Sequence, residues 1–160
     1  MEKVKINWDE VESVCSRIVM KIGQSNEWPN TIVAVANGGS IPAVTIANMM
    51  GIKNIVYVTA THYGNDETRL PSVSIKSPSV LWTFEPSETV LVVDDIYDTG
   101  DTIKAITKQI FASNSNSSPK IITATVFLRE NAPDAFKHLT HYGKIAKAGV
   151  WLDFPWEKSS

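Results

Sequence analysis

Apolar positions along the chain follow two rhythms, one of three to four residues and one of short unbroken runs. Val11, Val14, Ile18, Val19 and Ile22 recur at spacings of three and four. That pattern predicts one buried helical face, starting near Asn7 or Asp9 and ending near Gly23. Residues 31–36, TIVAVA, form a β-branched run too short for a helix and predict a buried strand. It ends in Asn37-Gly38-Gly39-Ser40, after which SIPAVTIANMMG predicts a helix with Pro42 in its first turn and Gly51 just past its end. Residues 54–63 predict a second strand, the polar stretch 64–79 an irregular loop, and residues 80–84 a short strand pairing with that excursion. Residues 88–96 predict a third core strand, and residues 102–112 a helix. SNSNSSP is a surface connection, residues 120–130 a further strand, and NAPDAFKHL a short helix. From Gly143 onward strand-like and irregular sequence mix. Strands that alternate with helices imply an α/β fold, a central mostly parallel sheet covered on both faces.

Composition narrows this picture without redirecting it. A chain of 160 residues, 43% apolar and 20% charged, fits one globular domain spanning residues 1–160. Fifteen basic against 17 acidic side chains leave a net charge of −2, which gives no reason to expect nucleic-acid or anionic-membrane binding. Cys15 is the only cysteine, so no intramolecular disulfide forms, and its place in a helical pattern reads as a small buried hydrophobe. No run reaches the ~18 apolar residues of a membrane span, and MEKVKINWDE lacks a signal-peptide core. The expectation is a cytoplasmic protein without integral membrane contact.

Chemistry concentrates at the ends of two predicted strands. Val90 to Val93 run directly into Asp94 and Asp95, with Asp98 close behind. Burying one unpaired carboxylate is costly and two neighbours repel, so something must compensate them. The stretch Asp98-Thr99-Gly100-Asp101-Thr102 offers successive backbone N–H groups, two hydroxyls and a helix start, a cradle for a phosphate dianion. It lacks the lysine and the spacing of a Walker loop. Asp94 and Asp95 then read as acceptors for sugar hydroxyls and as ligands of Mg²⁺ (Mg2+), direct or through water. The Asn37-Gly38-Gly39 turn permits close approach of backbone to a ligand, but alone it is a weak signal.

VLVVDDIYDTGDT closely resembles the phosphoribosyl-pyrophosphate (PRPP) binding motif of the type I phosphoribosyltransferases. Within that family an aspartate opening the DTG triplet, here Asp98, marks the enzymes for 6-oxopurines. The resemblance covers nearly the whole chain and looks closest to the bacterial xanthine-guanine type. INWDEVESVCSRI resembles its opening helix, IVAVANGGSIPAVTIANMMGI its pyrophosphate loop, TATHYGNDETR its mobile loop, and VWLDFPWE its TWIEQPWD segment. The fold so implied is a central mostly parallel sheet flanked by helices, with a small hood formed by the terminal segments. The activity implied is Mg²⁺-dependent transfer of the phosphoribosyl group from PRPP to guanine, xanthine or hypoxanthine, in a homodimer or homotetramer. Asn37, Gly38, Gly39, Arg69, Asp94, Asp95, Asp98, Thr99, Gly100, Asp101 and Thr102 would bind PRPP. Asp98 would also handle the purine N7 proton, the redistribution of which is needed when N9 joins the ribose. Trp151 would stack on the base, the backbone of Leu152 or Asp153 would meet the 2-position, and Arg129 would donate to O6.

Three departures from the family pattern stand out. Asn37 replaces the basic residue usual before Gly38-Gly39, which implies weaker PRPP binding or compensation by Arg69 or Lys76. Arg129 replaces a lysine and is bulkier and forked. Asp101 replaces a glycine and sets a carboxylate beside a phosphate site, unfavourable unless it points away and caps the helix. A non-catalytic PRPP- or nucleotide-binding regulator of the same fold, and a transferase for another base, are the rival readings. An aspartate-phosphorylation domain lacks its signature lysine and threonine.

Overall fold

The computed structural model describes residues 1–63, 72–76 and 82–158. The first long element, α1 (Trp8–Gln24), starts at Asn7, whose Oδ1 accepts from the Glu10 N–H at 2.8 Å. Asp9 and Glu10 lie in its first turn and Lys21 in its last, each on the side that the helix dipole favours. Val11, Val14, Cys15, Ile18 and Ile22 are buried, so the helical face read from the spacing is the face that packs. β2 (Thr31–Ala36) follows β1 (Lys3–Lys5) and α1, and leads into α2 (Ser40–Met50), which stops at left-handed Gly51. The chain continues through β3 (Asn54–Tyr63), β4 (Ser72–Lys76), β5 (Thr89–Tyr97), α3 (Asp101–Ser113), β6 (Lys120–Arg129), α4 (Ala135–His138), β7 (His141–Ala146) and β8 (Trp151–Asp153).

Six strands form one sheet in the order β4-β3-β2-β5-β6-β7, parallel except for β4, which runs antiparallel to β3. One face carries Ile32, Ala34, Leu91, Val93, Ile122 and Ala124 in a core with α1 and α2. The other carries Val33, Val35, Val58, Val90 and Val92 in a core with α3 and the start of α4. The mostly parallel sheet flanked by helices is therefore as expected. The terminal segments also meet: β1 and β8 pair in parallel, Lys3 with Trp151 through Lys5 with Asp153, and build a two-stranded hood. Among the described residues no helix is long and apolar enough to cross a membrane.

Two local expectations need correction. The stretch read as an irregular loop contains β4, whose Ser72–Lys76 pairs with Thr59 to Tyr63. SVSIK alternates over too few residues to announce itself, and its strand state comes from the edge that β3 presents. The strand expected at residues 80–84 is absent from its described part: Trp82 and Phe84 are buried, but the chain there leaves the sheet and Asn114 holds it. The Phe84 N–H donates to Asn114 Oδ1 at 3.0 Å, and Asn114 Nδ2 donates to the Trp82 carbonyl at 2.7 Å.

Alternation also breaks once in the central strands. Val90 and Val92 face the α3 side, and Leu91 and Val93 the α1 side. Past Asp94 and Asp95 the phase shifts, so Ile96 packs on the α1 side and Tyr97 on the α3 side. β6 does the same, with Val126 and Phe127 both in the first core and Leu128 in the second. The shift turns the last side chain of β5 beneath the loop that follows it.

Candidate active site

The sheet order reverses at β2: β3 lies on one side of it and β5 on the other. Loops leaving the carboxyl ends of β2 and β5 therefore diverge to opposite faces and open a crevice, the usual ligand position in such sheets. An open cleft of about 550 Å³ occupies this point, lined by Val35, Ala36 and Gly38, by Ala60, and by residues 94–103.

Both acids of the predicted pair reach the cleft. The N–H of Asp95 donates to Asp94 Oδ1 at 2.9 Å, and the N–H of Ile96 donates to Asp95 Oδ1 at 2.7 Å. Burial pushes the Asp94 carboxyl well above the usual carboxylate range, and the neighbouring Asp95 charge adds to this. Burial also raises Asp95, against hydrogen bonds that favour its charged form. Among the described residues no ion pair reaches either carboxyl, and no third His, Cys, Asp or Glu joins them as a cluster. Two hard oxygen donors with uncompensated negative charge fit Mg²⁺ that is completed by ligand oxygens and water. The residues present thus suit the ion that the resemblance implies.

The Gly-Gly turn packs directly against this pair. A Cβ on Gly38 would overlap the Asp95 carboxylate, and one on Gly39 would run into the carbonyl oxygens of Val93 and Val35. Both glycines are thus required by close packing of two strand ends, with the Gly39 N–H held on the Val35 carbonyl at 2.7 Å. The Ala36–Asn37 peptide is cis, and Asn37 is exposed.

Residues 98–102 form the loop into α3. Asp98 and Thr99 are exposed, and Gly100 is left-handed with φ 82° at the helix N-cap. Asp101 neither caps the helix nor points to solvent alone: its Oδ2 accepts from the Thr99 hydroxyl at 2.8 Å. Lys104 donates from Nζ to the Thr99 carbonyl at 3.4 Å and so puts a positive charge behind the loop. Thr102 lines the cleft. Tyr97, a residue that the sequence reading left without a role, is 1% exposed and lies in the cleft floor against Gly100. Burial raises its phenol above the ordinary range, with smaller contributions from the negative charges of Asp134 and Asp101. Its signal in the sequence was an aromatic side chain between an acid pair and a phosphate-type loop. Extending the period-two pattern from Val90 would have put it on the wrong face.

The residues expected to hold a base lie outside this cleft's lining. Trp151 is 50% exposed on β8, Leu152 is buried beneath the hood, and Asp153 pairs with Lys5. Arg129 ends β6 and donates from Nη1 to the Lys147 carbonyl at 3.0 Å. Arg69 lies outside the described residues, while Lys76 is exposed at the end of β4. Trp156 stacks on Phe154 at 4.6 Å and 11°, as a structural aromatic would. Burial pushes the Cys15 thiol up to about 12, which suits a core hydrophobe and not a nucleophile.

Comparison with known proteins agrees with this fold. A family profile described as "Phosphoribosyl transferase domain" matches residues 7–148. The chain is 26% identical over 157 residues to the xanthine-guanine phosphoribosyltransferase of Vibrio atlanticus, covering 98% of this chain and 90% of that protein. A xanthine-guanine-hypoxanthine phosphoribosyltransferase structure from Helicobacter pylori superposes with a TM-score of 0.79 at 20% identity, over 98% of this chain and 94% of the other. A purine phosphoribosyltransferase from Pyrococcus horikoshii superposes with a TM-score of 0.76 at 22% identity, over 100% and 97% of the two chains.

Proposed function

The chain belongs to the phosphoribosyl transferase domain family, and from that premise we propose that it transfers the 5-phosphoribosyl group of PRPP to a 6-oxopurine, releasing pyrophosphate. The carrying observation is one cleft that joins Asp94 and Asp95 to the loop 98–102 at the sheet's switch point. The xanthine-guanine relative, at 26% identity, supports the choice of base class.

In this reading a purine nitrogen attacks C1′ as the bond to pyrophosphate breaks. Backbone N–H groups of residues 98–102, at the N-terminus of α3, bind the 5′-phosphate. Asp94 and Asp95 accept hydrogen bonds from the ribose hydroxyls. They also hold Mg²⁺, which when bound neutralises charge on the departing pyrophosphate. Gly38 and Gly39, where a side chain would collide with Asp95 and with the Val93 and Val35 carbonyls, present backbone to the leaving group. Asp98, exposed at the mouth of the cleft, takes or steadies the N7 proton.

Trp151 presents a half-exposed indole for stacking, with the Leu152 and Asp153 backbone at the purine 2-position. Arg129 has spent one donor on Lys147 and keeps others for O6. The active form in this proposal is a cytoplasmic homodimer or homotetramer.

The test is pyrophosphate release from PRPP and Mg²⁺ with guanine, xanthine, hypoxanthine, adenine, uracil and orotate offered separately. Turnover with one or more of the first three and background rates with the rest is the expected result. Tight PRPP binding without turnover on any base would replace the enzyme by a regulator of the same fold.

A further inference from the structure

The loop 98–102 has lost a donor relative to its apparent design. The Thr99 hydroxyl, in the cleft lining, donates to Asp101 Oδ2 at 2.8 Å. The Asp101 N–H, in turn, points back to Thr99 Oγ1 at 3.3 Å. One hydroxyl and one carboxylate of the loop therefore satisfy each other, and the carboxylate adds negative charge beside an anion site.

Beneath the same loop lies a donor with nothing to donate to. Tyr97 is 1% exposed, and its hydroxyl has no hydrogen-bond partner among the described residues. The phenol end sits directly under Gly100, so close that a Cβ there would overlap the hydroxyl oxygen. This placement results from the phase shift at Asp94 and Asp95, which turns Tyr97 to the α3 side. A buried hydroxyl left unpaired is unfavourable. A phenylalanine would fill the core equally without that penalty. Unlike the other unpaired buried polar atoms among the described residues, this oxygen lies in the lining of the cleft, where a bound group can become its partner.

We propose that the Tyr97 hydroxyl is a hydrogen-bond donor for the phosphate group held by loop 98–102, taking over from the Thr99 hydroxyl that Asp101 has claimed. The proposal rests on the phosphoribosyl reading of the cleft. It assigns to Tyr97 a part in binding the sugar-phosphate end of the substrate, and none in binding pyrophosphate at the Gly38-Gly39 turn. An unpaired donor in the ligand-free protein that becomes paired on binding adds its penalty in the first state and its gain in the second.

The experiment compares wild type with Tyr97→Phe by calorimetric titration of ribose 5-phosphate and, separately, of pyrophosphate with Mg²⁺. Thermal unfolding is recorded without ligand. The variant is expected to bind ribose 5-phosphate about tenfold more weakly, the scale of one hydrogen bond to a charged group. Its pyrophosphate affinity stays unchanged, and its ligand-free melting temperature equals or exceeds that of wild type. Unchanged ribose 5-phosphate affinity overturns the proposal. So does equal weakening of both ligands with a lowered melting temperature, which would make Tyr97 a packing residue. Wild type that binds neither ligand would bring down the functional reading itself, an outcome distinct from the other two.

Discussion

Burying Asp94 beside Asp95 raises both carboxyls above their unfolded-state values, with desolvation the larger cause. An acid with a raised folded pKa holds its proton longer in the native state than in the unfolded chain. Its contribution to stability is therefore lost as pH rises from near the ordinary value of 3.8 toward the raised one. The ligand-free protein at neutral pH carries this penalty at the position that the proposal gives to sugar and metal. Asp94→Asn removes the ionisation and keeps the shape. In chelator-containing buffer at neutral pH, chemical denaturation should show the variant more stable than wild type. The gain should shrink as the pH is lowered toward 4, while pyrophosphate release falls by about 100-fold or more at any pH. A variant less stable than wild type at pH 7 would mean that Asp94 is compensated in the folded protein.

At the scale of elements, periodicity carried most of what could be read in advance, and it failed where a neighbouring strand decides. The buried face of α1 and the unbroken runs of β2 and β5 were plain, because each buries one stripe or both faces. β4 was not, since five residues at an edge take their state from β3. The acid pair and the loop 98–102 were readable because their residue types, adjacent carboxylates and a Gly-bearing helix start, stand out from the apolar strand before them. Tyr97 was not, since the shift in alternation depends on how β5 and β6 lie together.

β7 carries a second element-level consequence. His141 opens that strand with its Nε2 buried and without a partner among the described residues. Burial lowers its pKa, and the charge of Lys21 adds to this, against an opposing pull from Glu27. A depressed histidine lets the unfolded chain take the proton first, so stability drops as pH falls below the ordinary value of 6.5. Its sign is opposite to that of Asp94, so each is measured as a difference between wild type and variant. Urea melts of His141→Phe between pH 7.5 and 5 should show a shallower acid-side loss than wild type, and parallel curves would assign that loss elsewhere.

Over the whole molecule, the two ends of the chain meet on the side of the sheet that carries α1, and this closure puts the expected base-stacking indole in place. β1 is exposed at all three positions, so it buries little apolar surface of its own. Its contribution is backbone pairing: Trp151 N–H donates to the Glu2 carbonyl at 2.8 Å, and Ile6 N–H to the Asp153 carbonyl at 2.9 Å. The apolar load of the hood rests instead on Ile6, Leu152 and Phe154, all within the first core. Deleting residues 1–5 therefore removes the partner of β8 and leaves the plug beneath it. Stability should fall by only about 1 kcal/mol, the net scale of a single hydrogen bond, because the exposed groups freed in β8 bond to water instead. The strand carrying Trp151 would lose its register, and with it the stacking geometry. The expected result is a KM for the purine raised about tenfold, a KM for PRPP unchanged within about twofold, and a melting temperature within a few degrees of the full chain. The cleft proposed for PRPP should not feel the change, because its lining comes from β2, β3, β5 and the start of α3. If both KM values rose together, the hood would be supporting the sheet as a whole. If neither moved, the base would bind away from Trp151, and the carboxyl end of β6 near Arg129 would have to be examined as its seat.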